Sequence, residues 1–311
     1  MVESLVIGLD IGASKTLAGL VTRAGEIVQT LQVATAPSPP EILSAARSLN
    51  EKLIAAADAP VFGIGIGSAG MVDAASGIVI HANDNLPGWS GTNLTALAIG
   101  GLPVCAENDV RAMAYGEATI GAGTAYRSLL CVTIGTGIGG AIVAGDEVWH
   151  GANYSAGEIG YMVVDWDDDQ PLILDQYCSG PAIERAYHNA TGAEEGLPLT
   201  EISRRAAAGD DLARGVITEK ARQLGCILAG YITSINPEAV IVGGGVPQIG
   251  ALWWDAFESA FREGLPPLLR ATPLLPAALG AEAVLLGAAM LAWQVFPPIE
   301  MGRAWKGGSS H

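Results

Sequence analysis

The chain has little positive charge and few charged side chains of any kind. Only 15% of its 311 residues are charged, with 16 Lys and Arg against 32 Asp and Glu, which gives a formal net charge of -16. A protein that binds duplex nucleic acid or an anionic membrane needs a basic face. This balance therefore excludes both as principal partners, while a hydrophobic content of 50% allows a large core.

Cysteines are equally scarce, and no targeting segment is apparent. The four cysteines are Cys105, Cys131, Cys178 and Cys226, and no two of them form a C-x-x-C pair. We therefore expect buried free thiols, with neither disulfides nor a cysteine metal site. The opening MVESLVIGLD lacks the basic segment and cleavage site of a signal peptide. The sequence also predicts no membrane-spanning helix, so we expect a cytoplasmic protein.

Short apolar strands alternate with amphipathic helices along the chain, which predicts an α/β fold with helices on both faces of its sheets. The pattern strand, glycine turn, strand opens both halves, as DIGASKT at 10–16 and TIGTGIGG at 133–140. This is a weak internal repeat. We expect an N-terminal domain over 1–112 and a larger C-terminal domain over 113–293, with a helix at about 294–311 returning to the first. The predicted strands cover 4–9, 17–22, 26–34, 61–67, 102–107, 128–134, 139–144 and 239–242, and the predicted helices 40–58, 109–119, 180–189, 200–208, 211–235, 248–263 and 281–295.

Several glycine segments imitate known nucleotide motifs. The stretches 65–70 and 135–140 match G-x-G-x-x-G, but that motif must open a helix. Here a turn-like MVDAASG follows the first stretch and a strand-like AIVAG follows the second. GASKT lacks the Gly-Lys pair of a Walker A loop, because Ser14 precedes Lys15. A dehydrogenase and a P-loop NTPase are both disfavoured.

A glycine turn between two strands offers backbone N–H groups to phosphate oxygens. Each of the two hairpins carries hydroxyl residues, Ser14 and Thr16 in one and Thr133 and Thr136 in the other. Asp10, at the end of the first strand, suits a metal ion that bridges two phosphates. The alternative for either turn alone is an ordinary hairpin.

Two acidic clusters accompany these turns. Glu-Asn-Asp at 107–109 stands where an apolar strand meets a helix. Asn108 and Asp109 suit helix capping, but a carboxylate there also suits a general base, because α/β proteins bind ligands at the carboxyl ends of strands. Glu158 lies between Gly157 and Gly160, where it is either a solvated loop carboxylate or a ligand contact.

Together these segments resemble the ROK family (repressor, open reading frame, kinase) of the actin/hexokinase-like ATPases, over about residues 5–292. DIGASKT at 10–16 and TIGTGIGGAI at 133–142 resemble its two phosphate loops, and VIVGGGV at 240–246 resembles its adenosine loop. GIGSAGMVDAASGIVIHANDNLPGW at 65–89 and GANYSAGEIGY at 151–161 resemble its sugar-binding segments. AENDVRAMAYGE at 106–117 resembles its catalytic stretch.

The resemblance implies roles for individual residues. It implies that Asp109 is the catalytic base and that Asn108 hydrogen-bonds a neighbouring sugar hydroxyl. The other residues expected to bind sugar are Gly70, Asn83, Glu158, Tyr161 and Asp175. The residues expected on the ATP side, including the hairpin residues above, are Asp10, Gly12, Ser14, Lys15, Thr16, Gly135, Thr136, Gly137, Gly243 and Gly244.

Two departures from the family pattern concern zinc and the sugar. Tyr161 stands where the family commonly has a His that ligates a structural zinc and touches the sugar. The family's cysteine cluster is replaced by DWDDDQPLI, and the only nearby cysteine is Cys178, after the expected cluster. We therefore expect no structural zinc. Asp175 takes the place of a longer glutamate that contacts sugar.

The resemblance implies an ATP-dependent kinase that phosphorylates the primary hydroxyl of a hexose or hexose-like polyol, as a glucokinase or an N-acylmannosamine kinase does. It further implies Mg²⁺ with the nucleotide, two actin-like (ribonuclease-H-like) domains with an ATP and sugar cleft between them, and a homodimer. Tyr161 and Asp175 leave a valiolone-type C7-cyclitol open as the substrate. A non-catalytic sugar-binding regulator is the alternative of another class. Family repressors carry a DNA-binding domain before the first phosphate loop, and since that loop starts at residue 10 here, we expect none.

Overall fold

The computed structural model describes residues 4–82, 85–192 and 196–297, and these form an α/β fold. The strands are β1 (Leu5–Ile11), β2 (Lys15–Thr22), β3 (Ile27–Ala34), β4 (Val61–Ser68), β5 (Met71–Asp73), β6 (Ile78–His81), β7 (Val104–Asn108), β8 (Ser128–Ile134), β9 (Ile138–Ala144), β10 (Glu147–Val148), β11 (Val163–Asp167), β12 (Gln170–Ile173), β13 (Ala239–Gly243) and β14 (Leu274–Pro276). The helices are α1 (Pro39–Ala56), α2 (Asp109–Ile120), α3 (Leu174–Cys178), α4 (Gly180–Thr191), α5 (Leu199–Ala207), α6 (Asp211–Ile235), α7 (Ala251–Gly264) and α8 (Ala283–Val295).

The chain divides into two compact units, Met1–Glu107 with Ala288–His311, and Asn108–Gly287. We call these the first and the second unit. The sequence had suggested boundaries after residues 112 and 293, so both observed boundaries fall earlier in the chain. The end of α8 packs in the first unit, where the Trp293 indole donates to the carbonyl oxygen of Thr22 at 3.1 Å. Most of the helix expected over 294–311 lies outside the described residues.

The two units contain sheets of the same design. The first sheet has the order β3-β2-β1-β4-β7, and the second has the order β10-β9-β8-β13-β14. In each sheet an antiparallel hairpin, β1–β2 or β8–β9, is followed in space by a parallel neighbour, β4 or β13. This topology is of the ribonuclease-H type, and it confirms the internal repeat that the two glycine turns suggested.

Local sequence explains why the elements form where they do. The interior strands β1 and β13 are apolar almost throughout and are buried, as expected for a strand that is covered on both faces. Helix α6 begins after Asp210, whose carboxylate accepts from the N–H groups of Leu212 and Ala213 at 3.0 Å, and it ends at Asn236 in the left-handed conformation. These caps set the limits of the longest helix in the second unit.

The predicted long elements are present, while short elements were missed. The sequence analysis did not find the hairpins β5–β6 and β11–β12, the two-residue β10, or the edge strand β14. The expectation of four buried thiols is wrong for Cys226, which is exposed, and Cys105 is only partly buried, although all four cysteines are free. Cys226 lies on the outward side of α6, where helical periodicity alternates apolar and exposed positions. No described helix has the length and apolar content needed to cross a bilayer.

Candidate functional site

The β8–β9 turn, Gly135-Thr136-Gly137, forms an exposed loop at one end of the second sheet. Thr136 and Gly137 are exposed, and the N–H of Gly135 donates to the carbonyl oxygen of Gly137 at 2.8 Å, which closes the turn. The N–H of Gly180, at the start of α4, donates to the carbonyl oxygen of Gly135 at 2.8 Å. A tight glycine turn next to a helix N-terminus is the arrangement that binds phosphate oxygens in many proteins.

The glycine loop after β13 packs against the same turn. Gly244 has a φ of 94°, and a Cβ at this position would lie 2.2 Å from the carbonyl oxygen of Ile134. The N–H of Val246 donates to that same carbonyl oxygen at 2.9 Å. Only glycine permits this approach of two backbones. The structure therefore brings the predicted second phosphate loop and the predicted adenosine loop, Gly243 and Gly244, together within one unit.

Asn108 and Asp109 stand at the junction of β7 and α2. Asn108 is the helix cap, because its side-chain oxygen accepts from the N–H of Arg111 at 3.1 Å. Its amide donates to Oδ1 of Asp109 at 2.8 Å, and the N–H of Val110 donates to the same oxygen at 2.8 Å. Asn108 therefore caps α2, and the two hydrogen bonds to Oδ1 hold the Asp109 carboxylate in one orientation.

Asp109 has the electrostatics of a general base. Desolvation by the surrounding protein raises the pKa of its carboxyl to about 6, and the hydrogen bonds from Val110 and Asn108 oppose this rise. A carboxylate with a raised pKa accepts a proton more readily than an ordinary surface aspartate does. Asp109 is partly exposed, so a ligand can reach it.

Glu158 lies on the loop 151–161, which packs directly on β9. Gly157 has a φ of 87°, and a Cβ there would lie 2.9 Å from the Cα of Ala141. Because the loop backbone lies against the strand, the position of Glu158 is set by the sheet. Its side chain is 18% exposed and pairs with Arg111 through Oε1, 3.3 Å from Nη2. Helix α2 therefore connects the Asp109 end of the site to the Glu158 loop.

The two residues that depart from the family pattern differ in their surroundings. Tyr161 is exposed over 55% of its surface. Asp175 is partly buried, and its Oδ1 accepts from the N–H of Ile138 directly after the β8–β9 turn. A Cβ at Gly137 would lie 2.7 Å from that oxygen. The structure thus places Asp175 under the second phosphate loop, a contact that the predicted sugar role does not account for.

In the first unit, the β1–β2 turn carries the predicted first phosphate loop. The N–H of Gly12 donates to the carbonyl oxygen of Lys15 at 3.1 Å, and the hydroxyl of Thr35 donates to the carbonyl oxygen of Gly12 at 2.7 Å. Asp10 is partly buried at the end of β1, as expected for a residue at a strand terminus.

The side chains of this turn point in different directions. Ser14 is exposed and Lys15 is partly exposed, but Thr16 is only 1% exposed in β2, opposite Ile11. The hydroxyl of Thr16 is therefore buried, and the phosphate contact expected for it stays a prediction. Every residue of β2 after Lys15 is buried, so this strand is covered on both faces and the burial of Thr16 does not depend on which face it occupies.

The predicted sugar residues of the first unit lie after β4. Gly70 has a φ of 91°, and a Cβ there would lie 2.6 Å from the carbonyl oxygen of His81. The N–H of Ala69 donates to the carbonyl oxygen of Ile11 at 3.0 Å, so this loop begins beside the first phosphate loop. Asn83, the other predicted residue, lies outside the described residues.

Two charged residues of α2 escaped the sequence analysis. Arg111 and Glu117 are each 0% exposed. The carboxylate of Glu117 accepts from three backbone N–H groups, those of Ala122, Ala278 and Leu279, at 2.8 to 2.9 Å. The signal for both was available, because a charge within an otherwise apolar helix (DVRAMAYGEATI) must be paired when the helix is buried.

No group of three or more His, Cys, Asp or Glu suited to a metal ion occurs within 4–82, 85–192 and 196–297. The acidic hairpin β11–β12 occupies the part of the sequence where the family's zinc cysteines were expected. The absence of zinc stays a prediction.

Comparison with known proteins identifies the family. The ROK family profile matches residues 6–295. The chain is 33% identical to a glucokinase of Streptomyces coelicolor over 94% of this chain and 99% of that protein. Among solved structures, it is 35% identical to a ROK family glucokinase from Streptomyces griseus in complex with glucose and AMPPNP, with a TM-score of 0.79 over 93% of this chain and 99% of that one.

A ROK hexokinase from Thermus thermophilus is 30% identical, with a TM-score of 0.82, over 94% of this chain and 98% of that chain. Each of these similarities extends over nearly the whole of both proteins, and the two structures share the fold described above. The chain thus resembles sugar kinases in sequence and in fold. The chain belongs to the ROK family.

Proposed function

We propose that the protein is an ATP-dependent kinase that phosphorylates the primary hydroxyl of a hexose. The observation that carries this proposal is the placement of Asp109. A carboxyl with a pKa raised to about 6 stands at the N-terminus of α2, held through Oδ1 by Asn108 and Val110. It lies in the same compact unit as the exposed glycine turn at 135–137, so the proposed base and the proposed phosphate-binding loop belong to one sheet and its helix.

The chemistry needs one proton transfer and one phosphoryl transfer. Asp109 takes the proton of the attacking hydroxyl as a bond forms between that oxygen and the γ-phosphorus of ATP, and the bond from the γ-phosphorus to the bridging oxygen of ADP breaks. Backbone N–H groups of the 135–137 turn stabilise the charge on the phosphate oxygens. Mg²⁺ would supply further neutralisation of the phosphates, and Asp10 is the residue proposed to hold it in the first unit.

The sugar is proposed to bind beside Asp109, on the loop 151–161. Glu158 supplies a carboxylate that accepts from ring hydroxyls, and Tyr161, with its ring exposed, supplies a phenol on the same loop. The similarity to proteins described as glucokinases supports a hexose as the acceptor. A valiolone-type cyclitol is the second candidate, because Tyr161 replaces the imidazole of the family pattern and changes the hydrogen bonding on one side of the ring.

A coupled assay of ADP release tests this proposal. Wild-type protein with MgATP is assayed with glucose, mannose, N-acetylmannosamine and a valiolone-type cyclitol, and with no acceptor as the blank. We expect sugar-dependent ADP release, with glucose giving the highest kcat/KM. Higher kcat/KM for the cyclitol than for glucose would select the second candidate. Sugar binding by calorimetry without any ADP release would instead support the non-catalytic regulator and refute the kinase.

A further inference from the structure

We propose that Arg111 is a positioning residue for the sugar, which holds the Glu158 carboxylate in the orientation that binds ring hydroxyls. This inference rests on the proposed function, because it assigns the supporting contact of a proposed sugar ligand. It concerns a residue that the family motifs did not single out, and it follows from the surroundings of a buried guanidinium in the second unit.

Arg111 lies in the first turn of α2, two residues after the proposed base. Its side chain is 0% exposed, although arginine is among the residues least often buried completely. A buried guanidinium is stable only when carboxylates and carbonyls satisfy it. The groups that the Arg111 guanidinium contacts therefore indicate its role.

The contacts of Arg111 converge on the loop 151–161. Its Nη2 donates to the carbonyl oxygen of Tyr154 and to Oε1 of Glu158, the latter at 3.3 Å. Tyr154 has a φ of 57°, a conformation that is uncommon for a residue other than glycine and that needs support from its surroundings. One guanidinium thus supports both the backbone of the loop and its acidic side chain.

The loop around Glu158 is also held by its backbone, while the Glu158 side chain pairs with Arg111. Gly157 packs on β9 at Ala141, and a Cβ at Gly160 would lie 2.1 Å from the carbonyl oxygen of Ile138. These contacts fix the Cα of Glu158 but not its side-chain torsions. A guanidinium, being planar and always charged, orients a carboxylate more tightly than an ammonium group does. We infer that the rotamer of Glu158 is set from helix α2, and hence from the same helix that carries Asp109.

A double-mutant cycle tests the assignment. Wild type, Arg111→Met, Glu158→Gln and the double variant are assayed with MgATP and the sugar that gives the highest kcat/KM with the wild type. We expect each single variant to raise KM for the sugar about 10- to 100-fold, the range for loss of a charged hydrogen bond. The sugar KM of the double variant should not exceed the higher of the two single-variant values, because the two residues act as one unit. KM for ATP should stay within about twofold of wild type in all four proteins.

The control is Arg204→Met, which removes an exposed Arg–Glu ion pair with Glu201 on α5 and should leave both KM values unchanged. Single-variant factors that multiply in the double variant, or a sugar KM for Arg111→Met within about twofold of wild type, would overturn the positioning role. Should Arg111→Met not fold, as shown by its thermal unfolding, Arg111→Lys is judged by the same criteria, since it keeps the charge and loses the planar fork. A wild type that is inactive with every sugar refutes the proposed function itself, whereas multiplying factors in an active wild type refute only the role of Arg111.

Discussion

The side-chain amide of Asn108 donates a hydrogen bond to Oδ1 of Asp109 at 2.8 Å, while its carbonyl oxygen accepts from the N–H of Arg111 at 3.1 Å. A single side chain therefore caps α2 and orients the proposed base. The two interpretations of this dipeptide that its sequence left open, capping and catalysis, need not compete, because the structure assigns the cap to Asn108 and leaves Asp109 to the base proposed above.

Replacing the base should abolish turnover and preserve binding. For Asp109→Asn we expect kcat to fall by about 10²- to 10⁴-fold, the usual loss when a general base is removed, with the sugar Kd little changed. The measurement is steady-state ADP release together with calorimetric titration of the sugar. Asp58→Asn, an exposed aspartate between α1 and β4, is the matched control and should behave as wild type. A kcat above about a tenth of the wild-type value would refute the assignment.

The pH dependence of activity should follow the raised pKa of Asp109. The carboxylate is the active form, so kcat/KM should rise with pH, reach half of its maximum near pH 6 and level off about one pH unit higher. An acid limb centred near 4, the value of an ordinary aspartate, would contradict this expectation. The pH profile is measured at saturating ATP and limiting sugar.

The raised pKa of Asp109 should also make the free energy of unfolding depend on pH, but here the free energy falls as the pH rises. The pKa of Asp109 is raised from 3.8 to about 6 in the folded protein, so between these values the folded state binds more protons than the unfolded state. Its contribution to the free energy of unfolding therefore falls as the pH rises through this window, by about 1–3 kcal/mol. Asp109→Asn should remove this fall, which urea unfolding at pH 4, 5, 6 and 7 would detect as a flatter profile than that of Asp58→Asn.

Removing the cap should move the acid limb to higher pH. The hydrogen bond from Asn108 lowers the pKa of Asp109, so Asn108→Ala should raise that pKa and shift the kcat/KM profile towards alkaline pH. The same change should cost about 1 kcal/mol of stability through loss of the N-cap. Asn108→Asp would keep the cap but place a second acid beside the base, and it should shift the limb in the same direction. An unshifted profile for Asn108→Ala would show that the amide does not act on the base.

Substitution of Asp175 distinguishes two roles for its carboxylate, support of the proposed phosphate loop and contact with the sugar. Because its Oδ1 accepts from the N–H of Ile138 beside the 135–137 turn, Asp175→Ala should raise KM for ATP about tenfold, with a smaller effect on the sugar. Both KM values are measured, with Asp58→Ala as the control. A larger change in the KM for the sugar than in the KM for ATP would instead support the direct sugar contact that the family resemblance implies.

The metal content of the purified protein tests the expectation of no structural zinc, which rests on Tyr161 and on the missing cysteine cluster. We expect less than a tenth of a zinc ion per chain in purified protein by elemental analysis, and no change in thermal unfolding after treatment with a chelator. Activity should still require added Mg²⁺, which accompanies the nucleotide. One zinc per chain would contradict the prediction.

The amino-acid sequence by itself determined the long elements and the order of the motifs. Short apolar runs rich in β-branched residues, such as LVIGLDI and SLLCVTI, favour buried strands, and a capping residue such as Asp210 marks a helix start locally. The strand–turn–strand repeat likewise needs only local chemistry, and it correctly indicated two sheets of one design.

Only the tertiary structure decided which side chains of those motifs reach a ligand. Thr16 is buried because β2 is covered on both faces, and the edge strand β14 pairs with β13 across about thirty intervening residues, which no local pattern reports. Asp175 reaches Ile138, and Arg111 reaches Glu158, through contacts between segments far apart in the chain. Such pairings depend on packing and not on propensity: the charge of Arg111 in an apolar helix indicates from the sequence that it needs a partner, but only the tertiary structure shows that Glu158 is one.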